Sequence, residues 1–226
     1  MSLIVHDDLI QGSEEWLAAR RGLVTASVVG QLVTPTFKIA ANDKSRSLNT
    51  LLVAERITGW SDDVFVSDDM LRGQADEPLA RALYNKHYAP AVETGFMTED
   101  RWGFTIGYSP DGLVGDDGLI EVKSRRSKKH LATVLADEVP AENMAQIQCG
   151  LLVSGRKWCD YISYSGGMPM WVQRVAPDPR WHEAIVAAVT AFEKTAEEMV
   201  SIYLERVEGL PATERTDYYS GTELRL

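Results

Sequence analysis

The sequence predicts a mixed α/β or α+β domain, and three observations carry that expectation. Helical patterns fill the first part of the chain, and short turn-bounded strands fill the middle. Helices, a strand pair and one long amphipathic helix complete it, a mixture that neither an all-helical nor an all-strand fold accommodates. No repeat, low-complexity tract or Pro/Gly/Ser linker divides the 226 residues, so one domain spanning 1–226 is the simplest organisation.

The elements follow in order. Ser13–Arg20 reads as a short helix, with Ser13 as its cap and Glu14 and Glu15 complementing the dipole. Thr25 can cap a second helix reaching about Val33, and Thr34–Lys44 reads as a polar loop. Ser47–Ile57 carries the stripe Leu48, Leu51, Leu52 and Ile57, closed by Gly59. Asp68–His87 is a longer helix that Pro78 should interrupt, with a kink at Glu77. Val92–Thr98, Phe104–Tyr108 and Leu119–Lys123 read as strands, with Asp111-Gly112 and Asp117-Gly118 as hairpin turns. Ser127–Ala136 and Ala141–Val153 are helical, the second behind Pro140. Trp158–Tyr164 and Met170–Val175 form a strand pair around Gly166-Gly167, and a helix runs from about Pro179 to Glu205. The polar stretch 209–226 reads as a loosely packed C-terminal arm.

Composition removes several classes. Hydrophobic residues at 45% and charged residues at 25% suit a globular fold rather than a disordered or collagenous one. No apolar run approaches the roughly 18 residues of a membrane span, and no secretion signal opens the chain. Two cysteines, Cys149 and Cys159, are too few for a disulfide framework, which fits a reducing, cytoplasmic setting. The net charge of −10 argues against membranes and, at first sight, against nucleic acid.

The chemistry concentrates in Ser109-Pro110-Asp111-Gly112 and Glu121-Val122-Lys123. A turn separates the two segments, so Asp111 and Glu121 can sit side by side on neighbouring strands. Glu121 and Lys123 are two apart and project from one face. Two carboxylates with an adjacent ammonium suit a hard divalent cation such as Mg²⁺, which polarises a phosphodiester. The same residues also occur as an ordinary turn and a solvated strand face. An EF-hand is excluded, because its D-x-[DN]-x-[DN]-G order is missing. Lys123, Arg125, Arg126, Lys128 and Lys129 then reverse the local charge, as a phosphodiester substrate requires. Basic residues oppose the dipole at a helix start, so an anionic partner explains them better than solvent alone. Glu77, on the interrupted helix, and Gln146, on the helix behind Pro140, fit the same site.

Taken together, Arg21-Gly22-Leu23-Val24-Thr25-Ala26-Ser27, Gly73-x-x-x-Glu77-Pro78, Ser109-Pro110-Asp111-Gly112, Glu121-Val122-Lys123 and Ala145-Gln146-Ile147-Gln148 resemble the YqaJ-type viral recombinases. This is the family of phage lambda exonuclease, within the PD-(D/E)xK nucleases, and the resemblance covers about residues 11–200. It implies a restriction-endonuclease-like core, a central mixed β-sheet flanked by helices. It implies Mg²⁺-dependent 5′-to-3′ degradation of one strand of linear double-stranded DNA, with Mn²⁺ able to substitute. Work beside a single-strand annealing protein in recombination and a ring-shaped homotrimer follow from the same resemblance.

Residue by residue, Asp111 and Glu121 become metal ligands and Lys123 the group that positions or activates water. Glu77 supports the metal site, and Gln146 rather than Gln148 stands next to the lysine. Arg20, Thr25 and Ser27 take the 5′-phosphate pocket, with Arg21 the alternative arginine. The basic strip makes Arg125, Lys128 and Lys129 candidate DNA contacts, and Met70 falls where the family places an apolar wedge. Two other readings stay open at this stage: a related endonuclease or single-strand-end nuclease, and a non-catalytic DNA-end-binding module.

Overall fold

A computed structural model describes residues 3–61 and 67–215. Its amino-terminal half runs β1 (Ile4–His6), α1 (Glu14–Arg20), β2 (Val24–Thr25), α2 (Ala26–Val29), α3 (Asp43–Thr58) and α4 (Asp68–His87). Five short strands follow: β3 (Ala91–Val92), β4 (Phe96–Glu99), β5 (Ile106–Tyr108), β6 (Gly112–Val114) and β7 (Gly118–Ser124). The chain continues through α5 (Ser127–Ala136), α6 (Ala141–Ser154), β8 (Trp158–Tyr164), β9 (Trp171–Val175) and α7 (Pro179–Val207).

The fold is mixed α/β, and its strands are shared between two mixed sheets flanked by helices. One sheet has the order β1-β4-β5-β2, with β2 and β5 parallel. The other has the order β3-β6-β7-β8-β9, in which β7 and β8 run parallel and α5 and α6 form the crossover. The single strand expected over Val92–Thr98 is split. β3 ends at Val92 in one sheet, and β4 begins at Phe96 in the other. Gly95 makes the passage, because a Cβ there would lie 1.8 Å from the His6 carbonyl oxygen.

Other boundaries move for local reasons. α3 begins at Asp43, four residues before the expected start at Ser47, because Asn42 and Ser45 close a reciprocal capping box. α2 stops at Val29, since Val33 bridges to Ile39 and folds the following segment back on itself. α4 runs continuously through Pro78 rather than breaking, although the proline deprives the Gln74 carbonyl of its helical partner. Asp111-Gly112 is no free turn: Gly112 opens β6 and pairs with Ile120. Within 209–226, residues 210–215 carry no helix or strand, and 216–226 lie outside the described residues.

Two apolar clusters build the core. The larger collects α2, α3, α6 and α7 against the first sheet and the buried edge of β7 and β8, around Val24, Ile106, Leu119, Ile147, Ile185 and Phe192. The smaller packs Ala80 and Tyr84 of α4 against Ile120, Val122 and Ile162. Thus α4 and α6 approach β7 from opposite sides. Gly150 allows α6 to close on β5, because a Cβ there would meet the Tyr108 ring at 2.6 Å. That approach carries Gln146, one turn earlier, to the strand bearing Glu121.

Candidate active site

β7 supplies the centre. Glu121 is 1% exposed, an uncommon burial for a carboxylate. Its Oε1 accepts from Lys123 Nζ at 2.6 Å and from Gln146 Nε2 at 2.6 Å. Its Oε2 is buried and unpartnered. Gly112 and Ile120 pair across β6 and β7, so one further antiparallel step sets Asp111 opposite Glu121. Asp111 Oδ2 accepts from the Val122 N–H at 2.6 Å, which fixes the carboxylate beside β7. Glu77 faces the same strand from α4, and its Oε1 accepts from Arg81 Nη1 at 3.1 Å.

The electrostatics of this group are those of carboxylates short of positive charge. Burial raises the Asp111 carboxyl well above its ordinary range, and repulsion from Glu121 and Glu77 adds to it. Burial also raises Glu77, with Arg81 opposing and Glu121 and Glu93 reinforcing the shift. Burial alone lowers Lys123, but Glu121 and Asp111 outweigh it and the ammonium is held above its usual value. Among the described residues, no cluster of three or more His, Cys, Asp or Glu side chains encloses an ion by itself. The donors present still suit a hard divalent cation that keeps waters and substrate in its shell. The buried, unpartnered Glu121 oxygen and the mutual repulsion of the carboxylates are the features that such a cation relieves.

A second cluster adjoins the first. Arg20, closing α1, donates from Nη1 to Ser109 Oγ at 3.1 Å and from Nη2 to Ser27 Oγ at 3.1 Å and Thr25 Oγ1 at 3.4 Å. Its guanidinium lies 4.0 Å from the Trp16 ring centre, and Trp16 Nε1 donates to the same Ser109 hydroxyl at 3.0 Å. Burial lowers the Arg20 pKa to about 10. Every polar partner named here is a neutral hydroxyl, so the guanidinium meets no carboxylate within this cluster. Arg21 points elsewhere, to Ser61 Oγ at 3.4 Å. Thr25 stands at the N-cap of α2 without making a side-chain cap, which leaves its hydroxyl to Arg20 and Ser27.

The structure therefore brings together Asp111, Glu121, Lys123, Glu77 and Gln146, and separately Arg20, Thr25 and Ser27. Gln148 takes no part: it is buried and pairs with the Ala176 carbonyl and the Asp178 N–H. The basic strip is dispersed. Lys128 is exposed, and Lys129 reaches Glu142 at 3.5 Å. Arg126 pairs with Asp69. Arg125 turns inward, donating to Asn143 Oδ1 at 2.7 Å and to the Tyr161 hydroxyl at 3.3 Å, so its guanidinium is committed within the protein. Met70 is 45% exposed in the first turn of α4. Arg81 and Trp16 are the site neighbours that sequence reasoning passed over, and Ser109 is one that it placed in a motif without a role. Arg81 carried a readable signal, since it follows Glu77 by four residues on one helix face.

A family model for the YqaJ-like viral recombinase domain matches residues 15–157. The chain is similar to an alkaline exonuclease, LHK-Exo, from Laribacter hongkongensis, at 31% identity and a TM-score of 0.78, covering 88% of this chain and 100% of that one. LHK-Exo in complex with dAMP matches at 31% identity and a TM-score of 0.77, over the same shares. A phage related exonuclease from Haemophilus somnus 129PT shares the fold at 14% identity and a TM-score of 0.64, over 80% of this chain and 96% of that one. No curated protein matches. Family and neighbours support a nuclease or recombinase role on a restriction-endonuclease-like fold, and the chain belongs to the YqaJ-like viral recombinase domain family.

Proposed function

We propose that the chain is a Mg²⁺-dependent exonuclease that degrades one strand of linear double-stranded DNA from the 5′ end toward the 3′ end. The observation that carries this reading is the buried Glu121, held by Lys123 and Gln146 on one oxygen and unpartnered on the other, opposite Asp111. Asp111 and Glu121 hold the ion, which when bound supplies Lewis acidity toward a phosphodiester. Gln146 and Lys123 fix the Glu121 carboxylate. Lys123, as a cation, orients a water or offsets charge gathering on the phosphate. Glu77 stands behind the site and adds negative charge that favours the divalent cation.

The Arg20 cluster holds the terminal 5′-phosphate. A guanidinium surrounded by hydroxyls offers charge-assisted donors that no carboxylate here has already taken. LHK-Exo, at 31% identity, has been crystallised with dAMP, a nucleoside monophosphate of the kind such cleavage releases. Lys128 and Lys129 contact backbone phosphates, and exposed Met70 meets the duplex where its strands part. Arg125 contributes by ordering Asn143 and Tyr161 behind the strip rather than through a free guanidinium. No described helix is long and apolar enough to cross a membrane.

The test is digestion of linear DNA labelled at one 5′ end, with closed circular DNA as its companion substrate. Mg²⁺ or Mn²⁺ should release label from the linear form and leave the circle intact. Ca²⁺ should bind and inhibit, because its longer, looser coordination misplaces substrate and water. Full activity in EDTA removes the metal, and nicking of the circle replaces the exonuclease with an endonuclease. The proposal extends to a closed cyclic homotrimer acting with a single-strand annealing protein in recombination. Light scattering should give three times the 25.1 kDa chain mass, and a strict monomer overturns the ring.

A further inference from the structure

Arg81 is a nearly buried cation, 9% exposed, to which the functional reading gives no task of its own. It lies one helical turn after Glu77 on α4. Its Nη1 donates to Glu77 Oε1 at 3.1 Å and also to the main-chain carbonyl of Asp111. Its Nη2 donates to Glu93 Oε1. These acceptors belong to three segments: helix α4, the residue before β6, and the connection between β3 and β4. Glu93 is largely solvent-facing and anchors the outer end of the guanidinium.

The alternative task for such an arginine is to fasten α4 to the sheet. Other groups already do that. Ser124 Oγ donates to Asp76 and accepts from Arg72, and the Tyr84 hydroxyl donates to buried Asp160 at 2.6 Å. Ala80 and Tyr84 seal the apolar contact beneath. What Arg81 adds is one nitrogen, Nη1, shared between a site carboxylate and the backbone that carries a second one, on a planar guanidinium whose Nη2 is held by Glu93. Lysine offers a point charge without that geometry.

We propose that Arg81 is a positioning residue for the carboxylate site: it holds Glu77 and the Asp111 main chain in one register, so that both face Glu121 before an ion or DNA arrives. The proposal rests on the nuclease reading above. Removing the guanidinium frees Glu77 and the Asp111 backbone to relax apart under the repulsion of the three carboxylates. The ion-binding arrangement would then have to be rebuilt at each encounter.

The experiment is calorimetric titration of the metal-free protein with Mn²⁺, for wild type, Arg81→Met, Arg81→Lys and Glu93→Gln. Melting in EDTA, and kcat and KM on linear duplex DNA, complete the set. Arg81→Met should weaken Mn²⁺ binding by ~10–100-fold, the usual cost of losing a partner that orients a ligand. Its kcat should fall while KM for DNA stays near wild type. Arg81→Lys should restore only part of the affinity, and Glu93→Gln should shift it slightly in the same direction. Variants that lose melting temperature but keep wild-type Mn²⁺ affinity and kcat overturn the proposal, since a fastening role would behave that way. If Arg81→Met does not fold, wild-type affinity in both Arg81→Lys and Glu93→Gln overturns it equally. Wild type that binds no Mn²⁺ defeats the metal reading and this proposal with it. Wild-type binding with unaltered variants defeats this proposal alone.

Discussion

Asp111→Asn or Glu121→Gln is expected to lower cleavage of linear duplex DNA by at least ~10²-fold while DNA binding persists, the order that loss of one positioned catalytic group commonly produces. Binding survives because affinity for DNA comes mainly from many phosphate contacts away from the cleavage centre. The two changes preserve shape and the Val122 and Gln146 hydrogen bonds retain an acceptor. Asp111→Asn should also stabilise the metal-free protein. The Asp111 pKa is raised in the fold, so its ionised form is disfavoured there. That cost is absent below the ordinary carboxylate range and grows as pH rises through the shifted value. In EDTA near neutral pH the variant should therefore melt a few degrees above wild type, and the gain should vanish toward acid. Lys123→Ala is a different case, because it leaves buried Glu121 without its cation, a loss that costs ~3–5 kcal/mol in fully buried pairs. Lys123→Gln, which keeps a donor, is the cleaner variant for activity. Retention of more than about a tenth of the wild-type rate by Lys123→Gln, or by either carboxylate variant, would remove that residue from the mechanism.

The second large effect concerns the DNA end. Duplex DNA with a 5′-phosphate should be degraded roughly ten- to a hundredfold faster than the same DNA with a 5′-hydroxyl, since a charged hydrogen-bond partner is worth ~1.5–3 kcal/mol. Arg20→Ala should lower the rate on phosphorylated ends and shrink the difference between the two ends. Arg21→Ala should do neither, because Arg21 lies against Ser61 and away from Thr25 and Ser27. Serial cleavage of the proposed kind would leave a new 5′-phosphate each time, so the grip would act at every step and not only at the first. Equal rates on both ends in the wild type would end the phosphate-pocket reading and leave the metal reading standing.

Much of this arrangement was legible because it lies in short local signals. The stretch Glu121-Val122-Lys123 fixes two side chains on one face by the period of a strand alone. Ser127–Ala136 and Trp158–Tyr164 have the bounds that their patterns predict. What was not legible depends on contacts distant in sequence. β6 is three residues long and looks like the end of a turn until its pairing with β7 is known. β1 is also three residues long, and it pairs with β4 some ninety positions away. Which of two adjacent arginines joins Thr25 and Ser27 depends on the direction in which α1 ends. Arg125 looked like part of a basic face, and only the positions of Asn143 and Tyr161 turn it inward. The inward turn is set by α6 and β8, and nothing within the basic run announces it.

Ser109 ties the two clusters together, and this has a consequence for the size of the product. Its hydroxyl accepts from Arg20 and Trp16, while Asp111, two residues on, faces Glu121. The link is Pro110, whose ring locks one backbone angle. Two residues of chain span at most about 7 Å, so the groups proposed to grip the phosphate and to hold the ion are joined by a short, stiff stretch of backbone. As a gauge of fixed length it would measure off the same amount of strand at every cycle, whatever the bases are. Release of single nucleotides would then be a matter of carpentry in the Ser109–Asp111 backbone, independent of any reading of sequence.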